Sequence, residues 1–363
     1  MKNYTERMCR YIALIPYFFR GLKLMQYIRN ARGMPIIYDI FMTKKNNSVC
    51  VIAPYYSKSA FVGSVCIFDE FTSDNQKVPV VIVDEPEQSC LIVLYNIPKQ
   101  VLDHKKEFNI KIKKGKKILC KKVINYIGEV KQFHTLSIST LVKYEAEYLA
   151  EWIEYHLRVG VEHFYIYDNN NIDTSVKNVV TKYVEKGIVT YIPWPYPYKL
   201  YNYYLKPFWP VDSHFYTQIS QMHHALYKFA YETKWILACD VDEYFYSPKG
   251  ENLLSVISNY SNDIALQISG YLFGGTVDDL ARVKEKGVIK SFLRSELIPT
   301  SAKKLIINTA RTETYSIHDI LKGGTVTIVA KNEIIFNHYR ALGWKGRVDE
   351  LFAREVENTG IIQ

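Results

Sequence analysis

No stretch of this 363-residue chain stays apolar and uncharged for long enough to cross a bilayer. The best candidate, Tyr11 to Tyr27, is broken by Arg20 and Lys23, and a spanning helix needs about 20 apolar residues. A signal-peptide pattern is also missing. The six cysteines, at positions 9, 50, 66, 90, 120 and 239, form no Cys-x-x-Cys pair and no compact framework. Free thiols in a cytoplasmic protein are therefore expected rather than a disulfide scaffold. Internal repeats and low-complexity tracts are absent. Acids are outnumbered, 37 against 46 lysines and arginines, for a net charge of +9. No recognised RNA- or DNA-binding motif accompanies that surplus; Lys105 to Lys122 read as a hairpin with a solvated face, and no nucleic-acid partner is expected. What is present, 48% hydrophobic and 14% aromatic residues, excludes extensive disorder and leaves length for two domains.

The clearest periodic order lies between residues 136 and 192. Leu136 to Val142 reads as a strand and Ala146 to Val159 as a helix, with Leu149, Trp152, Ile153, Tyr155, His156 and Val159 near helical spacing and Gly160 as its stop. His163 to Tyr167 is a second strand that runs into the turn-rich loop Asp168 to Asp173. Ser175 to Lys186 then reads as a helix closed by Gly187, and Ile188 to Ile192 as a third strand. The order β-α-β-α-β predicts a doubly wound, mostly parallel, Rossmann-like α/β sheet, whose ligands sit beyond the carboxyl ends of its strands.

A further apolar run, Trp235 to Cys239, ends in Asp240-Val241-Asp242-Glu243. Ionised carboxylates at the end of a buried strand must reach water or share a cation. Asp240 and Asp242 are therefore candidate ligands for Mn²⁺ or Mg²⁺, ions that take oxygen donors and can carry a diphosphate. A solvated turn or helix cap is the plainer use of the same residues. Lys143, Glu145 and Asp168 follow the first two strands and would converge on the same edge; for Lys143 and Glu145 the alternative is an ordinary helix start.

The text KYEAEYLAEWIEYHLRVGVEHFYIYDNNNID, followed by ILACDVDEYF, is similar to glycosyltransferase family 92, and the resemblance runs over residues 135–345. Phe273-Gly274-Gly275, Lys303-Lys304-Leu305-Ile306, an isolated His318 and Asn337-His338-Tyr339-Arg340 extend it, while Tyr144 departs from the Asn that many relatives carry. The resemblance implies a GT-A fold and a metal-dependent, inverting transfer of a hexose, with galactose from UDP-galactose leading, to a glycan or glycolipid acceptor. It implies that Asp168 binds the base or ribose, that Asp240 reaches metal or ribose, and that Asp242 is a metal ligand with Glu243 behind it. A late histidine would complete the metal shell, with His338 and His318 as rivals, and Arg340 and Lys345 would offset the diphosphate charge. The displacement needs a carboxylate base, for which Asp278 and Asp279 are the candidates, with Glu313 behind them. The same two acids can instead start the helix indicated by Leu280-Ala281-Arg282-Val283. The alternative from another class is a non-catalytic glycan-binding protein on a degenerate scaffold.

On this reading residues 131–363 form the catalytic domain. Residues 34–130 hold short apolar runs separated by turns and charges, which predicts a small β-rich domain. Residues 1–33 carry Lys2, Arg7, Arg10, Arg20, Lys23, Arg29 and Arg32 against Glu6 alone. Their interspersed apolar side chains predict a basic amphipathic helix on an anionic membrane, or one docked on the β-rich domain. The expected location is accordingly cytoplasmic and peripheral on the membrane's cytoplasmic face. Between Tyr191 and Trp209 six tyrosines, two tryptophans and four prolines predict an irregular lid that touches donor or acceptor sugar.

Overall fold

The computed structural model describes residues 35–69, 77–129, 132–170, 173–196, 198, 216–299, 302–340, 342 and 355–362. The basic segment 1–33, Lys345, and Pro197 with residues 199–209 of the aromatic loop lie outside them. The chain forms two compact units, one drawn from 1–132 and 195–232, the other from 133–194 and 233–363.

In the first unit, apolar runs between turns form eight strands: β1 (Asp39–Thr43), β2 (Ser48–Pro54), β3 (Val65–Phe68), β4 (Lys77–Pro79), β5 (Ile82–Asp84), β6 (Cys90–Asn96), β7 (Phe108–Lys114) and β8 (Lys117–Ile124). They pair antiparallel into two four-stranded sheets, β1-β2-β6-β5 and β4-β3-β7-β8. Period-two alternation sends Phe108, Ile110 and Ile112 inward from β7 to a core shared with Val49, Val51, Phe68 and Val93. The helix Tyr216–Lys228 packs on β1, β2 and β6, so this unit is not contiguous in sequence, whereas the expected division at residue 130 is. A charge network holds the helix there. Asp39 accepts from Lys228 Nζ at 2.7 Å and pairs with His224 Nε2 at 3.1 Å on the helix, and it accepts from Lys122 Nζ of β8 at 2.8 Å. Burial opposes ionisation of Asp39, but His224 and the two ammonium groups outweigh it and hold the carboxyl well below the usual range.

The second unit is mixed α/β around one eleven-stranded sheet. β9 (His134–Val142), β10 (His163–Asp168), β11 (Val189–Pro193) and β12 (Thr233–Ala238) lie in the order β11-β10-β9-β12 and are parallel. The helices Ala146–Arg158 and Ser175–Glu185 connect the first three. Downstream come β13 (Glu243–Tyr246), β14 (Ala265–Phe273), β15 (Arg294–Ser295), β16 (Ala302–Asn308), a separate pair β17 (Thr314–Tyr315) and β18 (Ile320–Lys322), then β19 (Val326–Ile328), β20 (Ile335–Tyr339) and β21 (Val356–Glu357). β16 enters antiparallel between β12 and β14. The sheet is therefore mixed, a correction to the mostly parallel one expected. The helices Val277–Lys286 and Val288–Ser291 return the chain to the edge where β14 ended, and β16 leaves that edge in the opposite direction. Because two reversals restore direction, β12, β14 and β20 all end at one edge with β9 and β10. Leu136, Ile138, Trp152, Phe164, Trp235, Leu237, Leu266 and Phe336 are buried in the core of this unit.

Four histidines are buried as neutral rings. Desolvation pushes His156 down to about 3 and His163, His223 and His224 down to about 4, from an ordinary 6.5. The unfolded chain takes up protons at these sites as pH falls below 6.5, while the folded chain does not until about 4. Unfolding is therefore favoured by acid across that window, at about 1.4 kcal/mol per unit of displacement and per site as an upper bound. Urea midpoints measured stepwise from pH 7 should fall steeply below 6.5; a flat profile down to about pH 4.5 would mean that the rings are charged or exposed.

Candidate active site

Three acids, a lysine and a histidine meet at the carboxyl edge of the second unit. After β12 the chain alternates: Cys239 and Val241 enter the core, and Asp240 and Asp242 face the other way. The turn is closed by Glu243, whose amide donates to the Asp240 carbonyl at 3.1 Å and whose Oε2 accepts from the Asp240 amide at 3.0 Å. β13 then pairs with β20 so that Glu243 lies opposite His338, and the Tyr339 amide donates to the Asp242 carbonyl at 2.8 Å. Lys304 arrives from β16, one residue beyond the Leu305–Ala238 pair. Its Nζ stands 2.9 Å from Asp240 Oδ2 and 3.0 Å from Glu243 Oε2. The two nitrogens of His338 face different carboxylates: Nε2 is 3.4 Å from Asp242 Oδ2 and Nδ1 is 3.7 Å from Glu243 Oε1.

The Glu-Trp-Ile-Glu-Tyr-His helix builds this site without entering it. Among the described residues β13 pairs with β20 alone, and helix side chains satisfy backbone groups that would otherwise be buried without partners. Trp152 Nε1 donates to the Glu243 carbonyl at 2.9 Å, Tyr155 Oη to the Phe245 carbonyl at 3.0 Å, and the Phe245 amide donates to His156 Nε2 at 3.3 Å. His156 must therefore carry its proton on Nδ1, which donates to the Trp152 carbonyl at 2.9 Å.

The site is desolvated except at its mouth. The Glu243 and Lys304 side chains are 1% and 6% exposed and Asp242 is 11%, whereas Asp240 is 41% exposed. Burial works against Lys304 carrying charge, but Asp240 and Glu243 outweigh it and raise its pKa. Burial pushes Glu243 up to about 7 against the pull of Lys304, with Asp240 and Asp242 adding to the rise. His338 is opposed by burial yet raised to about 9, chiefly by Asp242. Asp240, despite desolvation, is lowered by Lys304 and by the two histidines, His338 and His318.

Asp242, Glu243 and His338 offer one ligand atom each within 4.8 Å of one another, the group among the described residues able to hold a metal ion. Two carboxylates and an imidazole suit Mn²⁺ or Mg²⁺ with Mn²⁺ ahead, because imidazole is a softer donor than Mg²⁺ prefers. Asp240, expected as a ligand, is instead paired with Lys304. His318, the rival to His338, is an exposed residue whose Nδ1 lies 2.8 Å from the Lys303 carbonyl. Partial burial lowers its pKa.

The remaining candidates divide. Asp168 is buried at the end of β10, level with Val142 of β9; its Oδ2 accepts from Tyr191 Oη at 2.6 Å and its Oδ1 from the Asn170 amide at 2.8 Å. Glu145 Oε2 accepts from the amides of Lys143 and Tyr144, both at 2.9 Å, so it shapes the loop after β9. Burial raises its pKa, with a smaller push from Asp242. Lys143 Nζ lies over the Tyr144 ring. Arg340 follows β20 at the edge. Asp279, proposed as base, is instead the third residue of a capping box: its Oδ2 accepts from the Thr276 amide while Thr276 Oγ1 accepts from the Asp279 amide. It also pairs with Arg282. Asp278 is exposed in the same first turn. A Thr followed three residues later by an acid is the capping signature, and it competes directly with a catalytic reading. Lys304 was the residue given no role; a lysine heading a Leu-Ile-Ile run is the signal that could have exposed it, since such a strand buries what precedes it.

The sequence profile of glycosyltransferase family 92 matches residues 132–363, and the chain belongs to that family. A family 92 protein of Ricinus communis is 26% identical over 230 residues, 61% of this chain and 38% of that protein. One of Oryza sativa subsp. japonica is 23% identical over 228 residues, 61% and 36% of the two chains. A galactan beta-1,4-galactosyltransferase of Arabidopsis thaliana is 27% identical over 118 residues, 32% of this chain and 22% of that protein. The chain thus spans little more than a third of the length of the first two relatives. Glucosyl-3-phosphoglycerate synthase of Mycobacterium tuberculosis superposes with a TM-score of 0.26 at 13% identity, over 49% of this chain and 58% of that one, too loosely to argue from.

Proposed function

We propose that this protein is a metal-dependent, inverting glycosyltransferase of GT-A type. It moves a hexose, with galactose favoured by the galactan galactosyltransferase relatives, from a UDP-sugar to a glycan or glycolipid acceptor. The observation that carries the reading is the Asp242–Glu243–His338 group at the strand edge where such sheets bind ligands. Asp242 and His338 Nε2 would hold Mn²⁺ or Mg²⁺, with Glu243, whose Oε1 lies 3.7 Å from His338 Nδ1, as the third group around the ion. The ion, when bound, supplies positive charge for a departing diphosphate. Lys304 pairs with both Glu243 and Asp240, holds Asp240 ionised and opposes the protonation of Glu243, and leaves Asp240 at the mouth for a ribose hydroxyl. Asp168, presented by Tyr191 and Asn170, accepts a hydrogen bond from base or ribose in the same reading. The capping of Asp279 leaves Asp278 as the exposed member of the expected pair of bases.

UDP release should be measured across a panel of donor sugars with and without Mn²⁺. Turnover on UDP-galactose that needs the ion supports the reading; no release from any donor at saturating Mn²⁺ sinks it. His338→Ala should weaken Mn²⁺ binding by roughly tenfold or more, in the range of a lost ligand or its orienting partner, and His318→Ala should leave it near wild type. Equal, small effects would remove His338 from the site.

A further inference from the structure

One face of the sheet β4-β3-β7-β8 is buried in the core of the first unit; the other carries a field of lysines. Register aligns Lys77, Ile67, Lys111 and Lys121 in one row across the four strands, and Pro79, Val65, Lys113 and Ile118 in the next. The β7–β8 turn adds Lys114, Lys116 and Lys117, so residues 105–122 hold nine lysines against Glu107 alone. Ile118 and Val123 stand 45% and 50% exposed among them. The described acid at this face is Asp69, 3.3 Å from Lys111.

Like charges directly opposite one another destabilise a sheet, and this hairpin contains two such pairs, Lys111 with Lys121 and Lys114 with Lys117. Lysines on an edge strand discourage edge-to-edge pairing, which accounts for Lys117 and Lys121 on β8. It does not account for Lys111 and Lys113, which sit on β7 inside the sheet. Alternating signs would keep the face soluble without the repulsion. Residues 34–132 contain no arginine, and the two rows hold no aromatic ring, so the bidentate phosphate grip and base stacking of nucleic-acid sites are missing. Diffuse lysine charge around exposed aliphatic side chains instead complements a negatively charged lipid surface.

We propose that this face docks on an anionic bilayer, with the lysines at the headgroups and Ile118 and Val123 at the interface. The test is co-sedimentation of the full chain with phosphatidylserine–phosphatidylcholine vesicles and with phosphatidylcholine alone, at low and high salt. The intact chain should bind the anionic vesicles and be released by salt. Replacing Lys113, Lys116, Lys117 and Lys121 together by Gln should weaken binding by roughly fivefold per lysine. Melting is the control: Lys121→Glu relieves an opposed pair and should melt no lower than wild type while binding less. Undiminished binding by the fourfold variant, equal binding to neutral vesicles, no binding by the intact chain, or tighter capture by single-stranded RNA each overturns the proposal. So does loss of binding that accompanies a fall in melting temperature.

Discussion

Asp242→Ala should cut sugar transfer by roughly 100-fold or more and leave the protein folded, because the substitution removes a carboxylate aimed at His338 from a site whose charge balance depends on a cation. The backbone of residue 242 keeps its hydrogen bond from Tyr339, and Val241 beside it stays in the core, so the turn survives. Loss of the side chain relieves repulsion with Glu243 but also removes the carboxylate that chiefly raises His338; the imidazole, 24% exposed, can give up its proton, which limits the change in stability to about 1–2 kcal/mol. Turnover with titrated Mn²⁺, read beside an unfolding curve, checks both halves. Activity near wild type at ordinary Mn²⁺ would remove Asp242 from the reaction; a collapsed unfolding midpoint would make it a structural residue.

The repeating part of the fold was legible because local periodicity wrote it. Leu149, Trp152, Ile153 and His156 mark one face of a single helix, and that face is buried. The second half of the sheet was not legible in the same way. Nothing local to Ala302–Asn308 says that it runs antiparallel between β12 and β14, since strand direction there is set by where the preceding helices leave the chain. The site divides along the same line. Asp240, Asp242 and Glu243 follow one strand and could be read together. That Lys304 pairs with Asp240 and Glu243, while His338 faces Asp242 and Glu243, depends on two distant strands meeting that turn. The roles of Trp152, Tyr155 and His156 were half visible: their apolar bodies give the helix its buried stripe, but their polar tips hold the backbone of β13. Asp279 shows the converse, since its local signature for a helix cap was sufficient and decided its place.

Lys304→Met should destabilise the second unit by about 3–5 kcal/mol, the usual cost of removing one partner from a buried charge cluster. The methionine fills much of the volume of the lysine stem, so the loss reports charge rather than a cavity. Without the ammonium group, Glu243 is a buried acid 1% exposed, with Asp240 and Asp242 as neighbours, and its remaining partners are the Asp240 amide and His338, whose Nδ1 is 3.7 Å away. Two rescues follow from that account. Adding Glu243→Gln to Lys304→Met removes the stranded charge and should recover a large part of the stability, a coupling that a double-mutant cycle measures directly. Mn²⁺ should raise the melting temperature of Lys304→Met by more than that of wild type, because the cation then neutralises acids that lysine no longer balances, and binding to the folded state stabilises it by mass action. Transfer should fall as well, since Glu243 would lose the partner that opposes its protonation beside His338. A Lys304→Met protein that melts with wild type, or a double variant no more stable than the single one, would show that the acids find their compensation elsewhere and that Lys304 does not organise the site.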